Sequence, residues 1–275
     1  MKYQHFIGSN KTNSIPIPKP IKHTPSVFLN KYNIIYYLPL VYYIMLYTKG
    51  YIYYILSQKG WIPVIFNKKD IPKMMNLLKN EYPDAKCSLD FTTPFELLVA
   101  VMLSAQCTDE RVNKTTPSIF AKYSTPSDFA NIDTKVLENL IHPCGFYNTK
   151  SKNIIACAKK IVNDFNGEVP KTMEELTSLP GVGRKSANVI MLNAFNNPVG
   201  IAVDTHAKRI SNRIGLSNQS DPSKIEQDLL KIFPSEYLPD VNHILVYHGR
   251  KICTARNPKC NICPISNMCK KIGVN

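Results

Sequence analysis

The chain has 275 residues, with 34 Lys and Arg against 20 Asp and Glu, so its formal net charge is +14. A chain of this length buries one large core or two modest ones, and its positive charge indicates a polyanionic partner such as nucleic acid or an anionic membrane. Four of the eight cysteines lie within positions 253–269. This clustering argues against a secreted disulfide scaffold and favours a metal-binding loop in a reducing compartment.

The N-terminal segment, residues 1–66, differs in composition from the rest of the chain. It holds seven Lys and no acidic residue, ten of the 15 Tyr and the only Trp, whereas the first Ala of the chain is Ala85. Its uncharged run at 32–48 is broken by Pro39 and falls short of the roughly 20 apolar residues of a membrane span. We therefore expect no membrane association and interpret residues 1–66 as an atypical extension, either a spurious over-long gene start or disordered; a peripheral membrane anchor is the alternative.

Helical periodicity dominates from residue 67 onward, because apolar residues recur at intervals of three and four. N-cap residues and prolines separate these stretches, at Thr93-Pro94, Thr125-Pro126, Asp221-Pro222 and Phe233-Pro234. No stretch alternates with a period of two over a useful length. The sequence therefore predicts an all-α fold, with helices over 71–82, 94–106, 109–123, 133–142, 149–165 and 225–233.

Residues 171–195 are predicted to form two helices joined by a tight turn. The first helix is capped by Thr172, with Glu175 three residues on, and the turn ends in a G-V-G sequence. Its glycines allow positive φ and remove side chains that would keep a ligand from the backbone, so the amides of the turn and of the next helix form a nest for a phosphate. This helix-hairpin-helix pattern contacts DNA without base specificity; an ordinary helix–helix turn is the alternative. The candidate DNA contacts are Leu179, Gly181, Val182, Gly183 and Arg184.

Lys185 and Asp204 are the candidate catalytic residues. Lys185 falls in the first turn of the second helix, where the helix dipole disfavours its charge; together with partial burial, this favours the deprotonated nucleophile. A solvated surface charge is the alternative. Asp204 precedes a basic helical stretch and is either an N-cap or a carboxylate that faces Lys185 across a cleft, steering a proton or stabilising positive charge on a sugar.

A four-cysteine loop closes the chain, with the spacing C-x6-C-x2-C-x5-C and lysine and arginine residues around it. Four thiolates hold either a tetrahedral zinc ion or a 4Fe-4S cluster, and the spacing leaves both open. No ligand position is left vacant, so the site is interpreted as structural. The candidate ligands are Cys253, Cys260, Cys263 and Cys269.

In this order, the elements resemble the endonuclease III family, DNA base-excision glycosylases of the helix-hairpin-helix superfamily. The resemblance covers nearly all of residues 67–272. It rests on PFELLVAVMLSAQCTDERVNK, CGFYNTKSKNI, LPGVGRKSANV, AVDTHAKRISNR, YHGRKIC and the four-cysteine loop.

The resemblance implies a role for each matching residue. Lys185 attacks C1′ of the damaged nucleotide and forms a Schiff base, Asp204 assists base departure, and β-elimination then cuts the strand. Gln106 and Phe146 match positions that fill or wedge the duplex when the base is flipped out, although without the family they would be read as helix surface and core filler. Asp109 lies in the pocket region, and the cysteines become ligands of a 4Fe-4S cluster.

The resemblance also implies two helical lobes around a DNA-binding cleft. A six-helix barrel lobe at 87–198 carries the hairpin and Lys185, and a discontinuous iron-sulfur lobe, 67–86 plus 199–275, carries Asp204. The expected partner is double-stranded DNA with a damaged base or an abasic site. We expect a monomer with no stable protein partner, acting in the cytoplasm on chromosomal DNA.

The function so implied is that of a bifunctional enzyme in base-excision repair. It is a DNA N-glycosylase that removes oxidised pyrimidines and a lyase that cleaves the abasic site. The alternatives are a related mismatch or pyrimidine-dimer glycosylase, and a non-enzymatic DNA-binding protein that carries the cluster. The pairing of Lys185 with Asp204 favours the enzyme, because a binding module needs neither residue.

Overall fold

The computed structural model describes residues 68–274, and this part of the chain is helical, without strands, as predicted. Residues 1–66, for which the sequence predicts an atypical extension, lie outside the described residues. Across 68–274, no helix is both long and apolar enough to cross a bilayer. The helices are α1 (Ile71–Glu81), α2 (Pro94–Ser104), α3 (Asp109–Phe120), α4 (Pro126–Asn131), α5 (Thr134–Ile141), α6 (Tyr147–Asp164), α7 (Met173–Ser178), α8 (Arg184–Phe195), α9 (Thr205–Ile214), α10 (Pro222–Ile232) and α11 (Leu238–Lys251).

Two separate hydrophobic cores organise these helices. Helices α2–α8 pack around the first, which includes Leu97, Ile119 and Leu137, and we call this part the hairpin lobe. Helix α1 joins α9–α11 around the second core, which includes Met74 and Val241. This second part, together with the four-cysteine loop, is the cluster lobe. Because α1 packs against helices from the far end of the chain, the cluster lobe is discontinuous, as predicted.

Side-chain caps explain where several helices begin. Thr93, Thr125 and Asp221 each accept a hydrogen bond from a first-turn amide, and each is followed by a proline in the first turn of its helix. Proline fits there because the first amides of a helix have no intrahelical acceptor. Thr172 caps α7 through the amide of Glu175, as predicted.

Two differences from the predicted helices bear on the site. Helix α11 is absent from the prediction because its buried face carries Asn242 and His248, polar residues that interrupt the apolar pattern. Helix α2 ends at Ser104, two residues earlier than predicted. Gln106 therefore lies beyond the helix, with a φ of 54° that no α-helical residue adopts.

Candidate active site

The turn between α7 and α8 needs glycine at one position only. Gly181 has a φ of +79°, and a Cβ there would lie 2.9 Å from Met102 Cε and 3.0 Å from Asn153 Cβ. Gly183 has a φ of −94°, so it does not use the positive φ that glycine allows. A Cβ at Gly183 would meet no protein atom within 4 Å. The absence of a side chain at Gly183 therefore matters only for a ligand that approaches this backbone from solvent.

The backbone of the turn is partly committed to the fold. Leu179 and Val182 are buried, and the Val182 amide donates to the Leu179 carbonyl at 3.1 Å, so the turn uses this amide internally. No side chain caps α8, whose N-cap residue is Gly183. The first-turn amides of a helix have no intrahelical acceptor. The amides that start α8 thus form the part of the hairpin suited to an anion.

Lys185 lies in the first turn of α8 and is exposed, so the expected partial burial is wrong. The cause is its position on the helix, because α8 buries the face that holds Ala187, Ile190 and Met191. Lys185 instead lines the cleft between the lobes, in a cavity of about 300 Å³ to which Asp204 also contributes. A volume of this order lies at the lower end of the range for small-ligand pockets.

Asp204 reaches the same cavity from the cluster lobe, and it also caps α9. Its Oδ1 accepts hydrogen bonds from the amides of His206 and Ala207, both at 2.8 Å. Its Oδ2 makes no hydrogen bond within the described part of the chain. The segment before it is held by the buried Asn242, which accepts from the Ala202 amide at 2.7 Å and donates to the Gly200 carbonyl at 3.0 Å. Both interpretations of Asp204 are therefore compatible, since one oxygen caps the helix and the other is left for the cleft.

A third charged group of the cavity, Asp109, joins the two lobes. Its Oδ2 accepts from Ser88 Oγ at 2.6 Å and from Arg250 Nη2 at 2.7 Å. Burial alone would raise the pKa of Asp109, but these hydrogen bonds and the charges of Arg250 and Lys185 outweigh it and lower the pKa below its usual value. No role for Ser88 or Arg250 was predicted from the sequence, although Arg250 lies in the YHGRKIC segment.

Gln106 and Phe146 line a neighbouring cavity of about 220 Å³, together with Gly181. Phe146 is 63% exposed, so it is not core filler, and Gln106 lies beyond α2, so it is not helix surface. Both residues have left-handed backbone, with φ of 49° and 54°. That conformation costs a non-glycine residue about 1–2 kcal/mol, and such strain concentrates at functional positions.

The side chain of Arg184 is bound within the protein. Its Nε donates to Glu226 Oε2 at 2.6 Å and its Nη2 donates to Glu226 Oε1 at 3.3 Å. The hydrogen bond that Arg184 donates to Glu226 raises the pKa of Arg184 above its usual value. Glu226 gave no signal in the sequence, because an acidic residue on an amphipathic helix normally faces solvent.

The four cysteines of the loop surround one cavity in the cluster lobe. All four are free and half-buried. Burial raises the pKa of Cys263 to about 11, and it raises that of Cys269 as well. Arg213 Nη1 lies 3.5 Å from Cys253 Sγ, and the Lys271 amide donates to Cys269 Sγ at 3.3 Å. These donors are of the kind that adjust the properties of metal-bound thiolates.

The four cysteines line the cavity from different sides. Between residues 69 and 274, no three His, Cys, Asp or Glu side chains are placed to hold a single metal ion. A 4Fe-4S cluster is larger than one ion and binds four separate thiolates. Ligands arranged around a cavity therefore fit such a cluster.

Two family models match the chain. Residues 99–235 match the HhH-GPD superfamily base excision DNA repair protein, and residues 253–269 match the iron-sulfur binding domain of endonuclease III. The second match covers the span from the first to the last of the four cysteines. The loop is thus an iron-sulfur site, and the 4Fe-4S interpretation is confirmed over zinc.

Individual relatives agree with the family models. Endonuclease III of Synechocystis sp. is 48% identical over 202 residues, which cover 74% of this chain and 92% of the relative. Endonuclease III of Bacillus subtilis is 41% identical, covering 75% and 94% of the two chains. A solved non-covalent complex of endonuclease III with DNA aligns with a TM-score of 0.71 and 42% identity, covering 74% of this chain and 96% of that one. The chain belongs to the endonuclease III family of base-excision DNA glycosylases with lyase activity.

Proposed function

We propose that this chain excises oxidised pyrimidines from double-stranded DNA and cleaves the resulting abasic site, with Lys185 as nucleophile and Asp204 as its partner. The observation that carries the proposal is their placement: the two residues come from different lobes and line one cavity. A base must leave the duplex to be reached, and this cavity lies in the cleft between the lobes.

The chemistry divides between the two residues. Lys185 Nζ, once deprotonated, bonds to C1′ as the C1′–N bond to the damaged base breaks, and opening of the sugar ring gives a Schiff base. Asp204 Oδ2 is free to stabilise positive charge on the sugar and to move protons, because the amides of α9 hold only Oδ1. A base then removes a proton from C2′, and a C2′–C3′ double bond forms as the C3′–O bond breaks and the phosphate leaves with the downstream strand. Water finally hydrolyses the Schiff base and releases the lysine.

The hairpin supplies the grip on the DNA backbone in this proposal. The amides of Gly183 and Arg184 lie at the uncapped start of α8, where an anion is favoured. Leu179 and Val182 contribute by holding the turn, since both are buried. Gly181 makes the turn possible through its positive φ.

Phe146 and Gln106 act as the wedge that keeps the flipped nucleotide out of the stack. An exposed aromatic side chain on a strained backbone does not stabilise the free protein, but it is suited to insertion between bases. Gln106 lines the same cavity and offers an amide to fill the space that the base vacates.

The residues that would hold the 4Fe-4S cluster are Cys253, Cys260, Cys263 and Cys269, which line one cavity within the matched iron-sulfur domain. When bound, the cluster would anchor the loop rigidly through these four thiolates. The surrounding chain presents cations to the DNA backbone, among them Arg256 and Lys259. Replacing Cys260 with serine is expected to remove the visible absorbance of the cluster; a colourless wild-type protein that binds zinc would contradict this.

The lobe boundaries are part of the proposal: 87–198 for the hairpin lobe and 67–86 plus 199–275 for the cluster lobe. The two hydrophobic cores support this division. We further propose that the protein acts as a monomer on chromosomal DNA in the cytoplasm.

The lesion preference can be tested with a panel of labelled duplexes. Each carries one oxidised pyrimidine, one G·T mismatch or one cyclobutane pyrimidine dimer, and strand breaks are scored without heat or alkali. We expect cleavage at the oxidised pyrimidine. Preferential cleavage at the mismatch or the dimer would replace the proposed substrate, and binding without base release from any duplex would favour the non-enzymatic reading.

A further inference from the structure

A polar cluster around one buried carboxylate joins the two lobes beside the start of α8. Its centre is Glu226 on α10 of the cluster lobe, and its other members are Arg184 and Asn188 on α8 of the hairpin lobe. Glu226 Oε2 accepts from Arg184 Nε at 2.6 Å, and Oε1 accepts from Asn188 Nδ2 at 2.8 Å. The link is therefore made at two points along α8, one helical turn apart.

The cluster is built for a carboxylate at this position. The Glu226 side chain is only 4% exposed, whereas that of Arg184 is 51% exposed. A buried carboxylate is costly unless it is paired and hydrogen-bonded, and the guanidinium supplies two parallel donors. Gly200 lies in the segment that links the two lobes and packs directly against the cluster, since a Cβ there would collide with Glu226 Oε1 and Asn188 Oδ1. The backbone between the lobes thus lies directly against this carboxylate.

Arg184 connects this cluster to the proposed nucleophile. Arg184 directly precedes Lys185 in the first turn of α8. Gly200 lies four residues before Asp204, in the segment that also leads to the cap of α9. One carboxylate therefore contacts the helix that carries the lysine and the segment that carries the aspartate. The cluster can therefore set the distance between Lys185 and Asp204.

We propose that Glu226 is a positioning residue, which acts through the side chain of Arg184 to fix Lys185 relative to Asp204 across the cleft. The guanidinium of Arg184 serves this link and is not a phosphate ligand; only its backbone amide faces the DNA. This inference rests on the proposed role of Lys185 as the nucleophile.

The test uses Glu226→Gln in the full chain with its cluster. Glutamine keeps the shape and can still accept from Asn188, but it removes the ion pair with Arg184. The matched control is Glu236→Gln, which removes the same charge from the cluster lobe at an exposed residue that makes no hydrogen bond or ion pair within 68–274. Single-turnover borohydride trapping on an abasic duplex gives the maximal rate and the half-saturating DNA concentration, and melting curves check the fold.

We expect Glu226→Gln to lower the maximal trapping rate about 10- to 100-fold, as small misplacements of reacting groups do, with the half-saturating DNA concentration within about twofold of wild type. Glu236→Gln should behave as wild type. A wild-type rate in Glu226→Gln overturns the inference. So does a lowered rate that saturating DNA restores to the wild-type value, because Glu226 and Arg184 would then act in DNA binding and not in positioning.

Arg184→Lys keeps the inference testable if Glu226→Gln fails to fold. Lysine retains the positive charge but cannot donate from two nitrogens of one planar group. A slower rate at unchanged affinity supports the positioning role, whereas an unchanged rate overturns it. The proposed function fails separately, if the wild-type protein itself forms no trapped complex or if Lys185→Ala still forms one.

Discussion

The two glycines of the hairpin are expected to respond to alanine in opposite ways. Gly181→Ala places a Cβ in a left-handed residue, which costs about 1–2 kcal/mol. The same Cβ meets Asn153 Cβ at 3.0 Å and the flexible end of Met102 at 2.9 Å, so neighbouring atoms must also shift. For a domain of this size, each kcal/mol lowers the melting temperature by about 2–4 °C. We expect Gly181→Ala to melt about 2–8 °C below wild type.

Gly183→Ala is expected to fold normally and to bind DNA weakly. Its φ of −94° is ordinary, and no protein atom lies within 4 Å of the new Cβ. The poorer N-cap and the smaller entropy of the unfolded chain oppose one another at about 0.5–1 kcal/mol each. If a phosphate sits against the amides of α8, the Cβ disturbs a charge-assisted hydrogen bond of about 1.5–3 kcal/mol, which is about 10- to 100-fold in Kd.

Both variants are compared by circular dichroism melting and by fluorescence anisotropy on a duplex with an uncleavable abasic analogue. Wild-type affinity in Gly183→Ala would refute the idea that DNA approaches this face of the hairpin. Unchanged melting in Gly181→Ala would refute the conformational argument for that glycine.

Three further outcomes follow from the site. Phe146→Ala should weaken binding to the abasic duplex by about 1–3 kcal/mol, as loss of a stacking ring does, while Phe146→Leu retains most of the affinity; equal affinities in gel shifts would contradict the wedge. Asp204→Asn should melt as wild type, because asparagine also caps helices, yet release bases much more slowly; unchanged single-turnover release would remove Asp204 from the chemistry. Asp109→Asn should lose about 1 kcal/mol or less at pH 7, since Arg250 is half exposed. The pKa of Asp109 is lowered in the folded state. Its stabilisation of the fold is therefore present above the unfolded-state pKa and is lost as the pH falls through the folded-state pKa. If urea unfolding showed the same difference in stability between wild type and Asp109→Asn in acid as at pH 7, this account would be contradicted.

Much of the fold could be predicted from local sequence because its helices carry their own signals. Thr93, Thr125 and Asp221 cap helices that begin with proline, and those signals are independent of tertiary packing. Helix α11 could not be predicted in this way. Its buried face includes Asn242 and His248, whose burial is stabilised by partners far away in the sequence, such as Ala202 and Tyr82.

The same limit applies to the site. Lys185 and Asp204 could be chosen from their motifs, but their shared cavity depends on how the two lobes pack. Glu226 and Arg250 could not be chosen, because their partners lie 42 and 141 residues away. The burial expected for Lys185 was wrong for a related reason. A motif gives the position on the helix, whereas neighbouring elements decide which side of that helix is covered.

Borohydride trapping tests the central claim most directly. The full chain and its Lys185→Ala variant are incubated with a labelled duplex that carries one abasic site, reduced, and resolved on a denaturing gel. A covalent complex from the wild-type protein that disappears in Lys185→Ala, while the variant still binds the duplex, is the expected result. A trapped complex that persists in the variant would place the nucleophile elsewhere, and a DNA-binding wild-type protein that gives no complex would mean that Lys185 forms no Schiff base.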